Sequence, residues 1–181
     1  MSYPCAIHAI WTTYMTWPPG DARGHWSPLF DLYGRLIEQG HRLNTPDSVT
    51  RDRAMELAKE PPRILTDLDQ SIVAKTVGDL LDREVRAEVH AAAIERTHVH
   101  LLFGPMDENI ERIVGKIKGR TSSEIVRRGS EPDRRRTWTA GYWKVFLFDS
   151  RAVPMVARYI EEHNERRGLP AAPYDWIQPL A

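Results

Sequence analysis

Cysteine and long apolar stretches are scarce in this sequence. Cys5 is the only cysteine among 181 residues. A single cysteine forms no disulfide within the chain and excludes a zinc module built from several cysteines, which fits a reducing compartment. No stretch reaches the roughly 18 apolar residues of a membrane span, and the N-terminus lacks a basic segment followed by an apolar one. We therefore expect a cytoplasmic protein without a membrane partner.

A net charge of either sign is also absent. The chain has 25 Lys and Arg against 25 Asp and Glu, so its formal charges balance at pH 7. This balance excludes a uniformly basic DNA-coating protein, and the 41% hydrophobic residues argue against intrinsic disorder. Affinity for nucleic acid would have to come from a local cluster of cations. The length and the lack of repeats predict one domain over residues 1–181.

Hydrophobic periodicity predicts both strands and helices. Segments rich in β-branched and aromatic residues predict a strand, a hairpin and a further strand at 5–15, 84–105 and 142–149. Helical spacing predicts helices at 50–82, 109–128 and 151–167. These patterns indicate an α+β fold with a central antiparallel sheet, ferredoxin-like in character, and with helices packed on it. The His-x-His motif described below is expected on an inner strand.

Some local details follow from single residues. Pro61 and Pro62 separate two helices in the first helical region. Alternating apolar residues from Val85 to Ala93 predict one buried strand face. Gly119 predicts a break within the second helical region, and a serine just before the last helix, Ser150, predicts its N-cap.

The segment HVHLLFG contains two histidines one residue apart, His98 and His100. Alternate residues of a strand point to the same side, so both imidazoles project together while Val99 and Leu101 project to the opposite side. Two neutral imidazole nitrogens can then converge on one metal ion. The alternative is a pair of partly buried histidines hydrogen-bonded to backbone or carboxylate groups, because a His-x-His pair alone is a weak signal.

The last predicted helix offers a third ligand and a nucleophile. Its apolar stripe packs on the sheet, which leaves Tyr159 and His163 one turn apart on its flank. A phenol has an ordinary pKa of about 10 and needs a cation or a base to attack at neutral pH, so a histidine-bound metal would activate Tyr159. The alternative is that Tyr159 covers the edge of the core and that His163 is a solvated helix residue.

Together these residues resemble the motifs of the HUH-endonuclease single-tyrosine transposases, particularly the REP-associated tyrosine transposase branch. In that family a strand reading like HVHLL supplies two metal ligands, and a helix with a signature such as YIE supplies the nucleophilic tyrosine. The resemblance extends in the same order through WTTYMTWPPGDARGHW, IVGKIKGRTS, GYWKVFLFD and RGLP. The chain departs from relatives at His163-Asn164, where they usually read Asn-Pro, and at Met15, where glycine is common.

The resemblance implies an HUH-nuclease fold and a metal-dependent endonuclease and strand transferase that acts on single-stranded or hairpin DNA. It implies that Tyr159 forms a covalent 5′-phosphotyrosine intermediate and that His98, His100 and His163 hold a divalent ion. Magnesium or manganese is the expected ion, and three imidazoles also suit zinc or nickel. The sequence leaves open whether two chains form a homodimer.

A basic stretch offers contacts to DNA. Residues 112–136 contain nine Lys or Arg against three Asp or Glu. The cations for which we predict DNA binding are Arg112, Lys116, Lys118, Arg120, Arg127, Arg128 and Lys144. Trp17, Trp26 and Trp143 are candidates for base stacking. The alternatives are a solvated basic helix face and tryptophans that anchor the core or a loop.

Two other functions fit parts of this pattern. A transposase-derived protein that binds a DNA hairpin without cleaving it would retain the basic stretch, and the altered helix motif at His163-Asn164 favours it. A metal-binding hydrolase unrelated to DNA would retain the histidines, but it would have no affinity for hairpin oligonucleotides and no dependence on Tyr159.

Overall fold

The computed structural model of the chain describes residues 3–21, 47–134 and 136–180. The strands and helices within these ranges are β1 Ala6–Thr12, α1 Ser48–Glu56, α2 Asp67–Arg83, β2 Val89–Ile94, β3 His98–Phe103, α3 Ile110–Arg128, β4 Trp143–Leu147 and α4 Ala152–Glu165. They occur where the hydrophobic pattern predicts strands and helices. Across the described ranges, none of the helices has both the length and the apolarity that crossing a lipid bilayer requires.

The described strands form one antiparallel sheet in the order β2-β3-β1-β4. β1 and β2 therefore run in the same direction and are separated by β3, which is the connection pattern of a ferredoxin-like fold. The predicted α+β fold with a central antiparallel sheet is confirmed. β3 contains the His-x-His motif and is an inner strand, as predicted.

One face of the sheet carries the main core. Ile7 and Trp11 of β1 and Leu101 of β3 are buried there together with the apolar stripes of α2 and α3. The two helices pack side by side on this face. Burial of these large side chains is the main source of stability in such a layer, at roughly 1.5 to 3 kcal/mol for each.

The other face of the sheet is covered by α4. Ala91 and Ala93 of β2 and Leu102 of β3 are buried against the apolar residues of this helix. The alanines have short side chains, so the helix can approach the sheet closely. Because side chains alternate along β3, His98 and His100 lie on the same side as Leu102 and therefore on the α4 side.

Along β2, the alternation of side chains between the two faces of the sheet differs from the prediction. The single buried face predicted from Val85 to Ala93 is wrong, because the strand begins at Val89 and a β-bulge follows between Val89 and Ala91. The bulge reverses the alternation, so Val89 lies in the core under α2 and α3 while Ala91 lies under α4. Both faces of β2 are apolar because helices cover the sheet on both sides.

α3 continues through Gly119, where the sequence predicts a break, so that prediction is wrong. Ile117, Thr121 and Ile125 lie on both sides of this glycine and are all buried on one helix face. Thr121 Oγ1 also donates to the carbonyl oxygen of Ile117 at 2.7 Å. The continuous packing of this face outweighs the roughly 1 kcal/mol that a glycine costs inside a helix.

α4 begins without a side-chain cap, so the N-cap predicted at Ser150 is wrong. The N-terminal flanking residue is Arg151, whose backbone N–H donates to Asp149 Oδ1 at 2.9 Å. Pro154 lies in the first turn as predicted, where its missing N–H has no helical partner to lose. After the helix end, Gly168 adopts a φ of 74°, in the left-handed region that glycine tolerates best.

A buried ion pair fixes the start of α2. Arg63 is 1% exposed and donates to Asp69 Oδ2 at 2.9 Å and to Glu131 Oε2 at 2.8 Å. Asp69 also accepts hydrogen bonds from the backbone N–H groups of Thr66 and Ser130, both at 3.0 Å. Burial alone would raise the pKa of Asp69, but these hydrogen bonds and the guanidinium hold it below its usual value.

Replacing Asp69 by alanine is expected to lower the free energy of unfolding by about 3 to 5 kcal/mol, because Arg63 would keep a buried charge without this partner. Urea denaturation followed by circular dichroism measures the change. Asp79→Ala is the matched control, since it removes a carboxylate from an exposed pair with Lys75 on the same helix and should cost no more than about 0.5 kcal/mol. Equal losses in the two variants would contradict a stabilising role for the buried pair.

Candidate active site

Three histidines from two elements converge on the α4 side of the sheet. His98 and His100 project from β3, His163 projects from α4, and their candidate ligand atoms all lie within 4.8 Å of one another. The ring centroids of His100 and His163 are 4.7 Å apart, and those of His98 and His163 are 5.5 Å apart. His100 is buried and the other two are half-buried. The structure therefore brings together the three residues that the sequence indicates as ligands.

Two of the ring nitrogens lack a hydrogen-bond partner. Nε2 of His100 and Nε2 of His163 are buried, and neither has a partner among the described residues. A buried polar nitrogen without a partner is costly, and a cation between the rings would satisfy both. Imidazole is a good ligand for manganese, nickel and zinc. The residues present therefore fit a divalent metal ion.

The opposite ring nitrogen, Nδ1, has a partner in all three histidines. These partners are Thr97 Oγ1 at 2.9 Å for His98, His8 Nε2 at 3.0 Å for His100 and Glu95 Oε1 at 3.2 Å for His163. Such partners hold a metal-binding imidazole in one tautomer and one orientation. In His100 and His163 they leave Nε2 for the cation.

Sequence reasoning missed all three of these partners. Thr97 and Glu95 directly precede the His-x-His motif in the hairpin turn, so their positions were a usable signal. His8 lies far from the motif along the chain, and only the pairing of β1 with β3 brings it to His100.

Burial keeps His100 in the neutral form that metal binding requires. Desolvation lowers the pKa of His100 well below its usual value, with a further contribution from the neighbouring histidines. Burial likewise lowers the pKa of His8 to about 4. Burial alone would raise the pKa of Glu95, but the hydrogen bond with His163 and the Arg167 guanidinium hold it below its usual value. The imidazoles of His100 and His8 are therefore neutral at neutral pH, while the Glu95 carboxylate is ionised.

Tyr159 lies beside the histidine cluster. Its ring centroid is 5.0 Å from that of His163, one turn further along α4, and 5.7 Å from that of His100 on the sheet. The side chain is 48% exposed, so a large substrate can reach it from solvent. The structure therefore places the Tyr159 phenol next to the histidines, as expected.

Asn164, the residue after the third candidate ligand, fixes the end of α4 on the sheet. It is fully buried, and its Nδ2 donates to the carbonyl oxygens of Ala92 at 2.8 Å and Ala171 at 2.9 Å. The bond to Ala92 ties the last turn of the helix to the backbone of β2. Because His163 is in the same turn, its position relative to β3 is set by this anchor.

The sequence of the chain also matches a known protein family. Residues 57–163 match the model of a family described as transposase IS200 like. The match covers more than half of the chain and includes Tyr159 and the three histidines. The chain belongs to the IS200-like transposase family. This membership gives the protein a transposase-like role in DNA transposition.

This transposase is also similar to solved structures, at low sequence identity. It is similar to a REP-associated tyrosine transposase bound to a REP hairpin, at 9% identity and a TM-score of 0.47, over 93% of this chain and 70% of that chain. It is also similar to a protein of Deinococcus radiodurans R1 whose description is that of a transposase, at 15% identity and a TM-score of 0.38, over 90% of this chain and 93% of that chain. No curated protein matches.

Two of the three tryptophans considered for base stacking lie on the histidine side of the transposase. Trp17, in the loop after β1, has its ring centroid 5.4 Å from that of His98. Trp143 of β4 pairs with the β1 residue that also pairs with His100, so it faces the same side of the sheet. Trp26 lies outside the described residues. Two tryptophan rings thus lie on the side of the candidate site.

The cations predicted to bind DNA lie on the other side of the transposase. Six of them belong to α3, which packs with α2 on the face opposite the histidines, and Lys144 is in register with Ala9 of that same face. Most of the cations form ion pairs within the chain, with Glu84 (Lys116 and Arg120), Glu124 (Arg127 and Arg128) and Glu111 (Lys144). The structure therefore does not bring these cations to the histidine cluster.

Lys118 has a further set of partners. Its Nζ donates to the carbonyl oxygen of Thr139 at 2.8 Å and to that of Gly141, and desolvation lowers its pKa to about 8. It therefore ties α3 to the turn before β4. DNA binding by this lysine and by the other cations stays a prediction.

Proposed function

We propose that this transposase is a metal-dependent single-stranded DNA endonuclease and strand transferase that acts on hairpin DNA through Tyr159. The observation that supports this most strongly is the convergence of His98, His100 and His163 within 4.8 Å, with the Tyr159 ring beside two of them. All four residues come from one chain, so in this proposal a single chain supplies both the ligands and the nucleophile. A homodimer is compatible with this arrangement without being needed for it.

The histidines have a defined task in this proposal. His98, His100 and His163 would hold a divalent ion through ring nitrogens, while Thr97 and Glu95 keep the rings of His98 and His163 in place. When bound, such an ion neutralises charge that develops on the scissile phosphate. Magnesium and manganese are the expected ions for DNA cleavage in this family, and the purely imidazole ligand set also suits zinc or nickel.

Tyr159 would act as the nucleophile. Its phenol oxygen attacks the phosphorus of the scissile phosphodiester, a new P–O bond forms to Tyr159, and the bond to the 3′ oxygen breaks. The phenolic proton passes, directly or through water, to the departing 3′ oxygen, which leaves as a hydroxyl. One phosphodiester replaces another, so the step is close to thermoneutral and needs no ATP. A different 3′-hydroxyl then attacks the phosphorus of the 5′-phosphotyrosine, the bond between phosphorus and the Tyr159 oxygen breaks, and the proton of the hydroxyl returns to the phenol. This step joins two strands.

The contacts to DNA divide into two groups in this proposal. Trp17 and Trp143 on the histidine side would stack on unpaired bases next to the scissile phosphate, each worth about 1 to 3 kcal/mol. The cations of α3 and Lys144 would contact phosphates of the hairpin away from the cleavage point, since they lie on the opposite face of the sheet. The single cysteine of the chain fits a reducing compartment such as the cytoplasm. The substrate would then be DNA in that compartment.

The test is a covalent capture assay. The full-length protein is incubated with labelled single-stranded DNA that carries hairpins from its own genomic flanks, with manganese or with a chelator, and the products are separated on a denaturing gel. We expect a labelled band of reduced mobility that contains protein and disappears with the chelator. Hairpin binding without any such band, with manganese present, would contradict the proposal and indicate a transposase-derived DNA-binding protein instead.

A further inference from the structure

His8 is a buried histidine of β1 to which neither the family motif nor the proposed chemistry gives a role. Its side chain is 6% exposed. Its ring stacks on that of His100 with centroids 5.2 Å apart and planes inclined by 25°. Its Nε2 lies 3.0 Å from Nδ1 of His100, which makes a hydrogen bond between two buried side chains.

The proton of this hydrogen bond is carried either by Nε2 of His8 or by Nδ1 of His100. If His8 Nε2 carried it, His100 Nδ1 would be the acceptor, and a neutral His100 would carry its own proton on Nε2. If His100 Nδ1 carries it, His8 Nε2 is the acceptor, and His100 Nε2 presents a lone pair. His100 Nε2 has no hydrogen-bond partner among the described residues, so only the second arrangement gives this buried nitrogen a use, as a metal ligand.

We propose that His8 is a positioning residue of the metal centre, which accepts the Nδ1–H of His100 and so fixes the tautomer and ring plane with which His100 meets the cation. This inference rests on the proposed function, because it presupposes that His100 is a ligand. The inference adds His8 to the metal centre, although β1 contributes none of the three candidate ligands. The most buried ligand would thus be held by a neutral imidazole and not by a carboxylate, and no negative charge would lie behind it.

The sheet register explains why a long planar side chain is needed at this position. His8 is directly opposite Leu102, and His100 is directly opposite Ile10, so the two histidines are diagonal neighbours on one face. Diagonal neighbours are roughly 7 to 8 Å apart at the backbone, within reach only of long or aromatic side chains. Glutamine at position 8 could still place an acceptor oxygen near His100, whereas leucine would fill similar space without an acceptor.

The experiment compares metal binding in three variants. His8→Leu removes the acceptor, His8→Gln retains one, and His90→Leu removes a histidine of β2 whose Nδ1 lies 3.0 Å from the Gln178 carbonyl oxygen. Cobalt(II) is titrated into each metal-free protein, and the dissociation constant and the visible absorption spectrum are recorded. We expect His8→Leu to bind cobalt about 10 to 100 times more weakly with altered bands, the range typical of losing a residue that orients a ligand. His8→Gln should recover most of the affinity, and His90→Leu should match the wild type.

The outcomes that overturn the inference are distinct from those that overturn the proposed function. A wild-type affinity and spectrum in His8→Leu would remove His8 from the metal centre while leaving that centre intact. Equal losses in His8→Leu and His8→Gln would assign His8 a packing role only. A wild type that binds no cobalt would remove the metal centre itself, and the inference with it.

A second measurement does not depend on any variant folding correctly. Nitrogen-15 NMR of the histidine rings in the zinc-loaded wild type shows which ring nitrogen of His100 carries the proton. We expect Nδ1 to be protonated and Nε2 to be bound to zinc. Protonation of His100 on Nε2, or zinc bound through Nδ1, would overturn the inference.

Discussion

Replacing Tyr159 by phenylalanine is expected to abolish covalent capture of DNA by this transposase. The ring and its contacts with His100 and His163 remain, and only the hydroxyl that would attack phosphorus is lost. Removal of a catalytic nucleophile lowers rates by factors on the order of 10³ or more. Affinity for hairpin DNA should fall by no more than about fivefold, because one hydroxyl contact is worth about 1 kcal/mol.

The covalent band on a denaturing gel and the dissociation constant for the hairpin are the two quantities to compare. Tyr3→Phe is the matched control, since Tyr3 is also an exposed tyrosine, at 80%, and has no contact with the histidine cluster among those observed. We expect the control to form the adduct at the wild-type rate. Adduct formation by the Tyr159 variant at that rate would transfer the role of nucleophile to another residue.

Binding of a divalent metal is expected to stabilise the folded transposase, and replacing His100 by alanine is expected to abolish this effect. At a metal concentration of 100 times the dissociation constant, the stabilisation is about 2.7 kcal/mol and raises the melting temperature. The physical reason is that the cation satisfies nitrogens such as His100 Nε2 and His163 Nε2, which are buried without a hydrogen-bond partner among the described residues. A chelator should return the melting temperature to its starting value.

Thermal denaturation followed by circular dichroism, with and without manganese or zinc, measures this effect. His90→Ala is the control, because it removes a histidine that lies outside the cluster and is bonded to the Gln178 backbone. The control should keep the full metal-dependent shift. If His100→Ala keeps that shift as well, the metal binds elsewhere and the ligand set is wrong.

The pairs within each element could be predicted because they depend only on local backbone geometry. His98 and His100 share a strand face at a spacing of two, and Tyr159 and His163 share a helix flank at a spacing of four. The meeting of the two pairs depends on tertiary packing, and the resemblance to a family supplied it in advance. The structure places both pairs on the same side of the sheet.

The residues that contact the candidate ligands could not be predicted, because their positions depend on strand register. His8 reaches His100 only because Ile10 pairs with His100, and a slip of one residue would turn His8 to the opposite face of the sheet. The bulge in β2 is a similar case, since nothing in its alanine-rich sequence marks where the alternation reverses.

The sequence shows the basic residues of α3, but it does not show which acidic residues form ion pairs with them. The basic residues of α3 predicted contacts with DNA, and Glu84 from the end of α2 pairs with two of them. A carboxylate distant in sequence becomes a partner only after α2 and α3 pack together.

The structure explains what Met15 and Asn164 do at two positions where the chain departs from the family pattern. Met15 adopts a φ of 58°, in the left-handed region that glycine tolerates best, which accounts for the glycine common at this position. Asn164 replaces a proline and uses its side-chain amide to hold the end of α4 on β2. The helix still ends one residue later, so the lost proline is not required to stop it.

The central claim is that the phenol of Tyr159 attacks DNA beside a cation held by His98, His100 and His163. The most direct measurement is mass spectrometry of the covalent product formed with manganese and single-stranded hairpin DNA, after digestion by protease and nuclease. The account predicts a nucleotide linked through its 5′ phosphate to the peptide that contains Tyr159, in metal-loaded samples alone. A nucleotide linked to any other residue, or cleaved DNA without a protein-linked product, would contradict it.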